Sequence, residues 1–369
     1  MFNRKQVLTT ILVCLGIISI IGIIFIGSVT QPEAEYSTGD KLAYLKTYIK
    51  YIFVGLILAG ITYKAYSYES IRKFLYIRQV EIIMFIVITI FLISPIFLGV
   101  SVNGARRWIR IGSFQMQPSE LVKPILILLV SQIMYGFKRK RDEEFTFYYW
   151  AGITIISVFI VILQKSKTSA IQLAAICYLI FAVSKFRENV KVTIGFLGFF
   201  VGAVVLIFKR DYSTTRLTNF AGKGMPLQVK AAIDAVKAGG ILGRGIGNGY
   251  QKYFYLPEAH NDYIFASICE EGGLIFALLI IILFIILCVT MFYVASKMKE
   301  SINRYVVYGV AFSIANQALL NIAINLNCAP STGITLPFIS YGGSSYISNA
   351  ICMGLLFSAI NVEYTKRGQ

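Results

Sequence analysis

Residues 274–295 read LIFALLIIILFIILCVTMFYVA, an apolar run without a single charged side chain. Such a run is long enough to cross a bilayer, since a transmembrane helix needs about 20 apolar residues. Charges are excluded from it because each costs about 2.5–3.5 kcal/mol at mid-bilayer. Similar runs recur along the chain and predict about ten spans, at residues 7–28, 48–66, 80–100, 119–136, 148–164, 169–184, 192–208, 263–296, 304–324 and 346–362.

The composition also favours a membrane protein. Hydrophobic residues make up 57% of the 369 residues and charged residues only 14%, too few to cover the surface of a soluble domain. The formal net charge of +17 would suggest nucleic acid in a soluble protein, but cytoplasmic loops facing anionic lipid explain it here. We therefore predict an all-α integral membrane protein that binds no nucleic acid. His260 is the only histidine, which excludes a multi-histidine metal site.

The distribution of basic residues predicts the orientation of the spans. If the N-terminus is cytoplasmic, every inner segment carries Lys or Arg, as the positive-inside rule requires. An even number of spans then places both termini in the cytoplasm. We predict a single polytopic domain, residues 1–369, in which residues 209–261 form an extracytoplasmic functional loop before the eighth span.

Two segments on the predicted outer side are also basic, which the positive-inside rule disfavours. These are residues 101–118 and the loop 209–261. Basic side chains there indicate an anionic ligand, and contact with lipid headgroups is the alternative. The residues concerned are Arg106, Arg107, Arg110, Lys209, Arg210, Arg216, Lys223, Lys230, Lys237, Arg244 and Lys252.

The loop 209–261 contains two local patterns. Residues 228–237 have polar positions at helical spacing, which predicts a short interfacial helix on the membrane surface. Residues 243–249 read GRGIGNG, but no strand precedes them, so a dinucleotide-binding loop is rejected. Their glycines fit tight turns, and a phosphate cradle beside Arg244 is a second interpretation.

The segment LPEAHNDYIF, residues 256–265, enters the eighth span. Its Asp262 lies at the apolar boundary, where an ionisable side chain is functional by default. Helix capping is the alternative, because Asp is a common N-cap residue. Glu258 precedes Asp262 and the pair Glu270–Glu271 follows it, so four carboxylates surround one outer entrance in a basic chain.

Three further segments have distinctive sequences. NGARRWI, residues 103–109, places a tryptophan beside two arginines, and an interfacial anchor is the alternative for that tryptophan. QPSELVK, residues 117–123, begins the fourth span, and its Glu120 can pair with Lys123 at i,i+3. STGITLPFISYGGSS, residues 331–345, has helix breakers at membrane depth, which must be buried in protein or line a cavity.

Together these segments resemble the SEDS family (shape, elongation, division and sporulation), which includes FtsW, RodA and SpoVE. The family signatures look like NGARRWI followed by QPSEL and Lys, LPEAHTDFIF followed by a Glu-Glu pair, and TGxxLPFISYGGSS. This chain carries all of them in order, and residues 216–220 look like the family's Arg-aliphatic-x-x-Phe segment. The resemblance covers essentially the whole chain and is closer to the FtsW/SpoVE branch.

The resemblance implies a peptidoglycan glycosyltransferase that polymerises lipid II into glycan strands, in cell division, cell shape or sporulation. Its implied partners are lipid II, undecaprenyl diphosphate, a class B penicillin-binding protein and other proteins of the division or elongation complex. Asp262 matches the family's essential aspartate and is the candidate catalytic residue; with Glu258 it is also a candidate ligand of a divalent cation, Mg²⁺ or Mn²⁺. The candidate substrate-binding residues are Arg106, Arg107, Trp108, Lys123, Arg216, Arg244, Glu258, His260, Ser340, Gly342 and Gly343.

The implied reaction needs one base. Diphosphate is a good leaving group, whereas glycosidases expel a poor one and need two carboxylates. We expect Asp262 to remove the proton of the acceptor hydroxyl. We expect Arg107, Arg216 and Arg244 to offset the charge on the diphosphate, because a guanidinium binds phosphate through two parallel hydrogen bonds.

The chain departs from the family after the fifth predicted span. The family's QPDxGTA is replaced by QKSKTSA, residues 164–170, which puts Ser166 in place of the acid and adds two lysines. This departure keeps open a non-catalytic scaffold that activates a penicillin-binding protein. A second alternative is a flippase that moves lipid II outward, with which the helix breakers of residues 331–345 and the intramembrane Lys123 are compatible.

Overall fold

The structure is a computed structural model, and it describes residues 4–102, 105–112, 114–138, 143–184, 227–253, 255–330 and 333–367. Helices dominate this part of the chain. Its elements are α1 (Arg4–Val29), α2 (Gln31–Thr38), α3 (Ala43–Ser67), α4 (Glu69–Leu75), α5 (Arg78–Leu98), β1 (Val100–Val102), β2 (Ala105–Ile111), β3 (Phe114–Met116), α6 (Pro118–Leu121), α7 (Lys123–Lys138), α8 (Glu143–Leu163), α9 (Lys167–Val183), α10 (Leu227–Gly239), α11 (Ile264–Lys297), α12 (Ile302–Asn325) and α13 (Gly343–Arg367).

Eight helical stretches in the described residues are long and apolar enough to cross a membrane. They are α1, α3, α5, α6 with α7, α8, α11, α12 and α13. The apolar helix α9 covers the sixth predicted span but has only 17 residues. The seventh predicted span, 192–208, lies outside the described residues. The prediction of a mostly helical multi-pass membrane protein is confirmed, and the count of ten spans stays a prediction.

The helix α13 lies at the centre of the bundle. In its most apolar window 83% of the residues are buried, against 11% for α3. The two helices approach closely through small residues: a Cβ at Gly55 would lie 3.1 Å from Ala350 Cβ, and one at Gly354 would overlap the carbonyl of Ala59. Small residues at helix interfaces are typical of membrane proteins, where packing replaces the hydrophobic effect as the driving force.

The eighth predicted span is a broken helix. Gly273 in α11 has φ 68° and ψ −169°, a conformation that glycine adopts without steric cost. It separates a short outer piece, residues 264–272, from residues 274–297. At 1.5 Å per residue the second piece is about 36 Å long, sufficient for a hydrocarbon core of about 30 Å.

A break inside a helix leaves backbone groups without partners, and such groups are very costly in a membrane. Here residues 240–245, which we name the strap, lie against the break and supply the missing partners. Four hydrogen bonds of 2.9–3.4 Å join them: Arg244 N to Glu270 O, Gly245 N to Glu271 O, Leu274 N to Gly240 O and Ile275 N to Ile241 O.

The segment between α5 and α6 forms a small antiparallel sheet in the order β1-β2-β3, which the sequence analysis did not predict. Arg106 pairs with Ser101 and Trp108 with Val100. Alternation along β2 leaves Arg106 and Arg110 exposed, while Trp108 is half-buried. The sheet therefore presents two guanidinium groups on one face.

Candidate functional site

The sequence motifs meet at one end of the bundle, which we name the outer end and which carries residues 99–102, 105–112, 114–117, 240–253, 255–263 and 333–342. The amide of Gln117 donates a hydrogen bond of 2.9 Å to Ser344 Oγ, which joins the QPSEL segment to the start of α13. Tyr341 N donates to the carbonyl of His260 at 2.9 Å. Three segments that lie far apart in sequence are therefore in direct contact.

Asp262 lies in the turn before α11 and is partly exposed. Its backbone carbonyl accepts hydrogen bonds from Asn321 Nδ2 and Asn325 Nδ2, each 2.9 Å long. Its carboxylate lies beside Gly333, where a Cβ would be 3.4 Å from Asp262 Oδ2. The carboxylate thus faces the 331–345 segment, as expected of residues that share a site.

The start of α11 bears on the capping alternative for Asp262. The N-cap residue is Tyr263, whose side chain makes no capping hydrogen bond. The amide of Ala266, one of the first helical N–H groups, donates to Asn325 Oδ1 at 2.9 Å. This amide is therefore capped by a side chain from α12 and not by Asp262.

The candidate residues of the 331–345 segment shape the turn that leads to Asp262. Ser340 Oγ donates to the carbonyl of Asn261 at 2.7 Å and accepts from Leu336 N at 2.6 Å. Gly343 begins α13 and Gly342 directly precedes it, and both are tightly packed: a Cβ would lie 2.9 Å from Thr335 Cγ2 at Gly342 and 2.8 Å from Tyr51 Cζ at Gly343. Their roles in substrate binding stay predictions.

His260 is buried in an aromatic and acidic environment. Its Nδ1 lies 3.2 Å from Glu33 Oε2, and its ring contacts Tyr44 and Tyr341 at centroid distances of 5.4 and 5.5 Å. Glu258, by contrast, is exposed, has φ 59° and accepts a hydrogen bond of 2.6 Å from Asn261 Nδ2. His260 therefore anchors the turn to α2, while Glu258 faces outward.

The contact between Glu33 and His260 makes a testable contribution to stability. The hydrogen bond with His260 lowers the pKa of the Glu33 carboxyl below its ordinary value of 4.5. A carboxyl group whose pKa is lower in the folded than in the unfolded state stabilises the folded state at any pH above its unfolded pKa. This stabilisation is lost as the pH falls through the folded pKa. We expect the thermal midpoints of wild type and Glu33→Gln to differ most above the unfolded pKa of Glu33 and to converge as the pH falls through its lowered folded pKa.

The matched control is Glu35→Gln. Glu35 lies on the same short helix, α2, but its ion pair with Lys41, at 3.4 Å, is exposed. Thermal unfolding of both variants in detergent across this pH range measures the effect. A difference for Glu33→Gln that stays constant with pH would show that the pair with His260 is not its source.

Glu270 and Glu271 bind the backbone amides of the glycine-rich segment, residues 243–249, and of the residues that follow it. Both are 1% exposed. Glu270 accepts hydrogen bonds from the amides of Tyr250 and Gln251. Glu271 accepts from the amides of Gly247 and Gly249 at 3.1 and 3.3 Å, from Lys252 Nζ and from the hydroxyl of Ser28. These glycines hold a carboxylate of the chain itself, so the phosphate-cradle interpretation is wrong for their amides and the turn interpretation is the better one.

The pair of Lys252 and Glu271 is fully buried, with Nζ and Oε1 2.9 Å apart. Removing one partner of a buried ion pair leaves an uncompensated charge and costs about 3–5 kcal/mol. We expect Lys252→Met to lower the free energy of unfolding by about this amount, measured by thermal or denaturant unfolding in detergent. The exposed Lys237 of α10 gives the control Lys237→Met, which we expect to change stability by less than about 0.5 kcal/mol.

A double-mutant cycle tests the assignment further. Glu271→Gln is expected to cost less in the Lys252→Met background than in wild type, because the two charges stabilise each other. Equal costs in the two backgrounds would contradict a direct interaction.

The basic candidates differ in how accessible they are. Arg106 is exposed and Arg107 half-buried on the sheet. The side chain of Arg244 is 45% exposed, and its Nη1 lies 3.7 Å from Glu270 Oε1. Arg216 lies outside the described residues. Substrate binding by these residues stays a prediction.

Lys123 is buried, with 1% of its side chain exposed. Its Nζ lies 2.8 Å from Glu120 Oε2, which confirms the predicted i,i+3 pair, and 3.0 Å from Gln172 Oε1. In this arrangement the ammonium group joins the fourth span to α9. A direct contact with substrate stays a prediction.

An aromatic path links the sheet to the turn of His260. The ring of Phe114 in β3 contacts Tyr51 at 5.9 Å, and Tyr51 contacts Tyr341 at 5.9 Å. Tyr341 in turn contacts His260. Edge-to-face and tilted pairs of this kind stabilise by about 0.5–1.5 kcal/mol each. The path makes the sheet part of the same outer end as Asp262.

A family profile described as Cell cycle protein, FTSW_RODA_SPOVE, matches residues 8–365 of the chain. The chain belongs to this family. The resemblance predicted from the motifs is thereby confirmed, and we refer below to the FtsW/RodA/SpoVE family.

Several relatives in the FtsW/RodA/SpoVE family align over nearly the whole chain. A protein of Pseudomonas fluorescens (strain SBW25) is 30% identical over 367 residues, covering 96% of this chain and 87% of that protein. One of Synechocystis sp. is 31% identical over 341 residues, with 91% and 84% covered. Both are named "Probable peptidoglycan glycosyltransferase FtsW". Stage V sporulation protein E of Bacillus subtilis (strain 168) is 30% identical over 349 residues, with 92% of each chain covered.

Solved structures show the same fold. A chain from "Structural coordination of polymerization and crosslinking by a peptidoglycan synthase complex" superposes with a TM-score of 0.75, at 22% identity, over 96% of this chain and 97% of that one. The rod shape determining protein RodA of Thermus thermophilus superposes with a TM-score of 0.70, at 21% identity, over 96% of each chain. The membrane fold predicted from hydropathy is therefore that of the FtsW/RodA/SpoVE family.

The segment in which this family member departs from the predicted signature contacts the outer end through Gln117. Ser166, in place of the acid, is buried and donates from Oγ to Ser169 Oγ at 2.9 Å. Ser169 Oγ also accepts from Gln117 Nε2 at 3.0 Å. The altered segment thus keeps a hydrogen-bonded link to QPSEL without a carboxylate.

The sequence analysis missed three amide side chains of α12. Gln317, Asn321 and Asn325 are 1%, 0% and 0% exposed and lie on one helical face at i, i+4 and i+8. Gln317 Nε2 donates to Thr335 and Ser345, while the two asparagines bond the turn of Asp262. Their spacing could have identified them from the sequence, because polar residues four apart inside an apolar span are expected to face protein.

Proposed function

We propose that this member of the FtsW/RodA/SpoVE family is a peptidoglycan glycosyltransferase that polymerises lipid II at the outer face of a bacterial cytoplasmic membrane. Relatives that align over nearly the whole chain are named for this activity. The observation that carries the proposal is the contact of three motif segments around a partly exposed Asp262 at one end of the bundle. The biological setting is cell division, cell shape or sporulation.

The proposed reaction joins two lipid-linked sugars. The 4-hydroxyl oxygen of the acceptor GlcNAc forms a bond to the anomeric carbon of the growing strand, and the bond from that carbon to the diphosphate oxygen breaks. The bonding electrons leave with undecaprenyl diphosphate. The proton of the hydroxyl passes to a base, and no general acid is needed because the diphosphate is stable as an anion.

Asp262 is the proposed base. Its position in the turn is supported by hydrogen bonds to three consecutive carbonyls, those of His260, Asn261 and Asp262 itself. A base acts efficiently only when it is held within hydrogen-bonding reach of the proton it removes. A turn fixed at each of its carbonyls provides that restraint while leaving the carboxylate partly exposed.

The diphosphate requires compensating positive charge. We propose that this charge comes from four arginines: Arg106 on the exposed face of the sheet, Arg107, Arg216 and Arg244. Among the described residues no three His, Cys, Asp or Glu side chains come together as a metal site. Asp262 and Glu258 would be the protein ligands of a divalent cation.

A class B penicillin-binding protein is the proposed partner, since it would cross-link the strands that this chain makes. Other proteins of the division or elongation complex belong to the same proposal. A solved chain of the same fold comes from a peptidoglycan synthase complex, which supports an assembly of this kind.

The test is polymerisation of fluorescently labelled lipid II by the purified protein, alone and with a candidate class B penicillin-binding protein from the same genome. A β-lactam blocks cross-linking, so that products are linear strands separable by gel electrophoresis. We expect strands longer than the starting disaccharide. A folded, partner-bound protein that produces none, or that only moves lipid II across vesicle membranes, would overturn the proposal.

A further inference from the structure

Two buried asparagines of α12 lie directly behind the candidate base. Asn321 and Asn325 are both 0% exposed, within a helix that is otherwise largely apolar. Burying an amide without partners costs about 1–3 kcal/mol in proteins. Their amide groups therefore require specific partners. Most of these belong to the two segments that flank the carboxylate of Asp262, and Asn325 Nδ2 also donates to the carbonyl of Asn321 at 2.9 Å.

Both asparagines donate to the same atom. Asn321 Nδ2 and Asn325 Nδ2 each lie 2.9 Å from the carbonyl oxygen of Asp262. A carbonyl oxygen has two lone pairs, so these two donors use its whole accepting capacity. The peptide group that carries the candidate base is thus held from two positions one helical turn apart.

Asn321 also holds the opposite wall of the site. The same Nδ2 lies 2.6 Å from the carbonyl oxygen of Ile334. The neighbouring Gly333 is the residue whose Cβ would lie 3.4 Å from Asp262 Oδ2. One amide group therefore fixes both the backbone of the carboxylate and the backbone that faces it.

Asn325 also caps an amide at the start of α11. Its Oδ1 accepts from the amide of Ala266 at 2.9 Å, which replaces a local N-cap. The side chain thus accepts from α11 and donates to Asp262 at the same time. These two functions can be separated by substitution.

We propose that Asn321 and Asn325 are positioning residues that hold Asp262 in its reactive placement through its own carbonyl. The inference rests on the proposed function and adds to it the residues that fix the base. Catalytic groups must be held within about 0.5 Å of the productive geometry, and a misplacement of about 1 Å can cost about 100-fold in rate. Loss of either donor is expected to lower kcat and to leave the KM for lipid II nearly unchanged.

The experiment compares Asn321→Ala and Asn325→Asp with Gln317→Ala. Gln317 is the matched control because it lies on the same face, is equally buried and donates to Thr335 and Ser345 instead of to the turn. We expect kcat to fall about 100-fold in the first two variants, with KM within about threefold of wild type. Gln317→Ala is expected to keep kcat within about threefold.

Asn325→Asp separates positioning from capping. Its carboxylate keeps an acceptor for the Ala266 amide, and a negative charge at a helix N-terminus is favourable, but it has no N–H to donate to Asp262. Asn321→Ala adds no charge and so controls for the negative charge that Asn325→Asp introduces. Wild-type kcat in either variant, or equal losses in all three, would overturn the inference.

A second readout needs no turnover. A water-soluble carbodiimide with an amine probe labels carboxyl groups, and mass spectrometry of the peptide that contains Asp262 gives its rate of labelling. We expect a change of at least threefold in Asn321→Ala and none in Gln317→Ala. If wild type makes no polymer, the proposed function fails, while this rate still decides whether the asparagines position Asp262.

Discussion

Asp262→Asn is expected to lower the rate of lipid II polymerisation by about 10²–10⁴-fold, the usual contribution of a general base. Asn has nearly the same shape as Asp but cannot take up the proton of the acceptor hydroxyl. The two hydrogen bonds from Asn321 and Asn325 use the backbone carbonyl of residue 262 and are kept in the variant, so the turn is expected to stay in place. The measurement is the initial rate of strand formation from labelled lipid II, with thermal unfolding as the check on folding.

The matched control is Asp234→Asn. Asp234 is an exposed aspartate on α10, in the loop 209–261 that precedes Asp262, and it takes no part in the motif contacts described above. We expect its rate to stay within about twofold of wild type, as for other exposed surface substitutions. Equal polymerisation by wild type and Asp262→Asn would remove Asp262 from the role of base.

Gly273→Ala is expected to have the largest effect on stability, a loss of more than about 4 kcal/mol. A Cβ at this position would overlap Gly243 N and Ile241 O, which are backbone atoms of the strap and cannot rotate away. The residue also has φ 68°, which disfavours any side chain. We expect little monodisperse protein in detergent and a large fall in the thermal midpoint of what remains.

Two glycines serve as controls for Gly273→Ala. At Gly16 and Gly60, both inside spanning helices, a Cβ would meet nothing within 4 Å. We expect Gly16→Ala and Gly60→Ala to be neutral or to stabilise by up to about 1 kcal/mol, because alanine is the better helix former. A Gly273→Ala variant as stable as these two would show that the strap does not pack against the break.

Patterns that depend on neighbouring residues were predicted well from the sequence. The spans follow from runs of apolar residues, and the pair of Glu120 and Lys123 follows from helical spacing. The helix predicted at residues 228–237 is present as α10, Leu227–Gly239, while its position on a membrane surface stays a prediction. These features need no knowledge of which elements pack together.

Features that depend on distant contacts were not predicted. The glycines at 247 and 249 suggested an anion site, but the anion is Glu271, which lies more than twenty residues further along the chain. The partners of Asn321 and Asn325 are likewise about sixty residues away, in the turn of Asp262. Hydropathy and spacing identify such residues as unusual, but only the packed structure shows what they bind.

The break at Gly273 also implies an order of events during biogenesis. The piece 274–297 satisfies nearly all of its backbone internally and can enter the bilayer as an independent helix. Its first two amides instead bond the strap, residues 240–245, which is available only after the loop has folded back against α11. We therefore expect insertion of the eighth span to precede the closure of the outer end, so that Asp262 reaches its reactive placement only in the late stages of assembly.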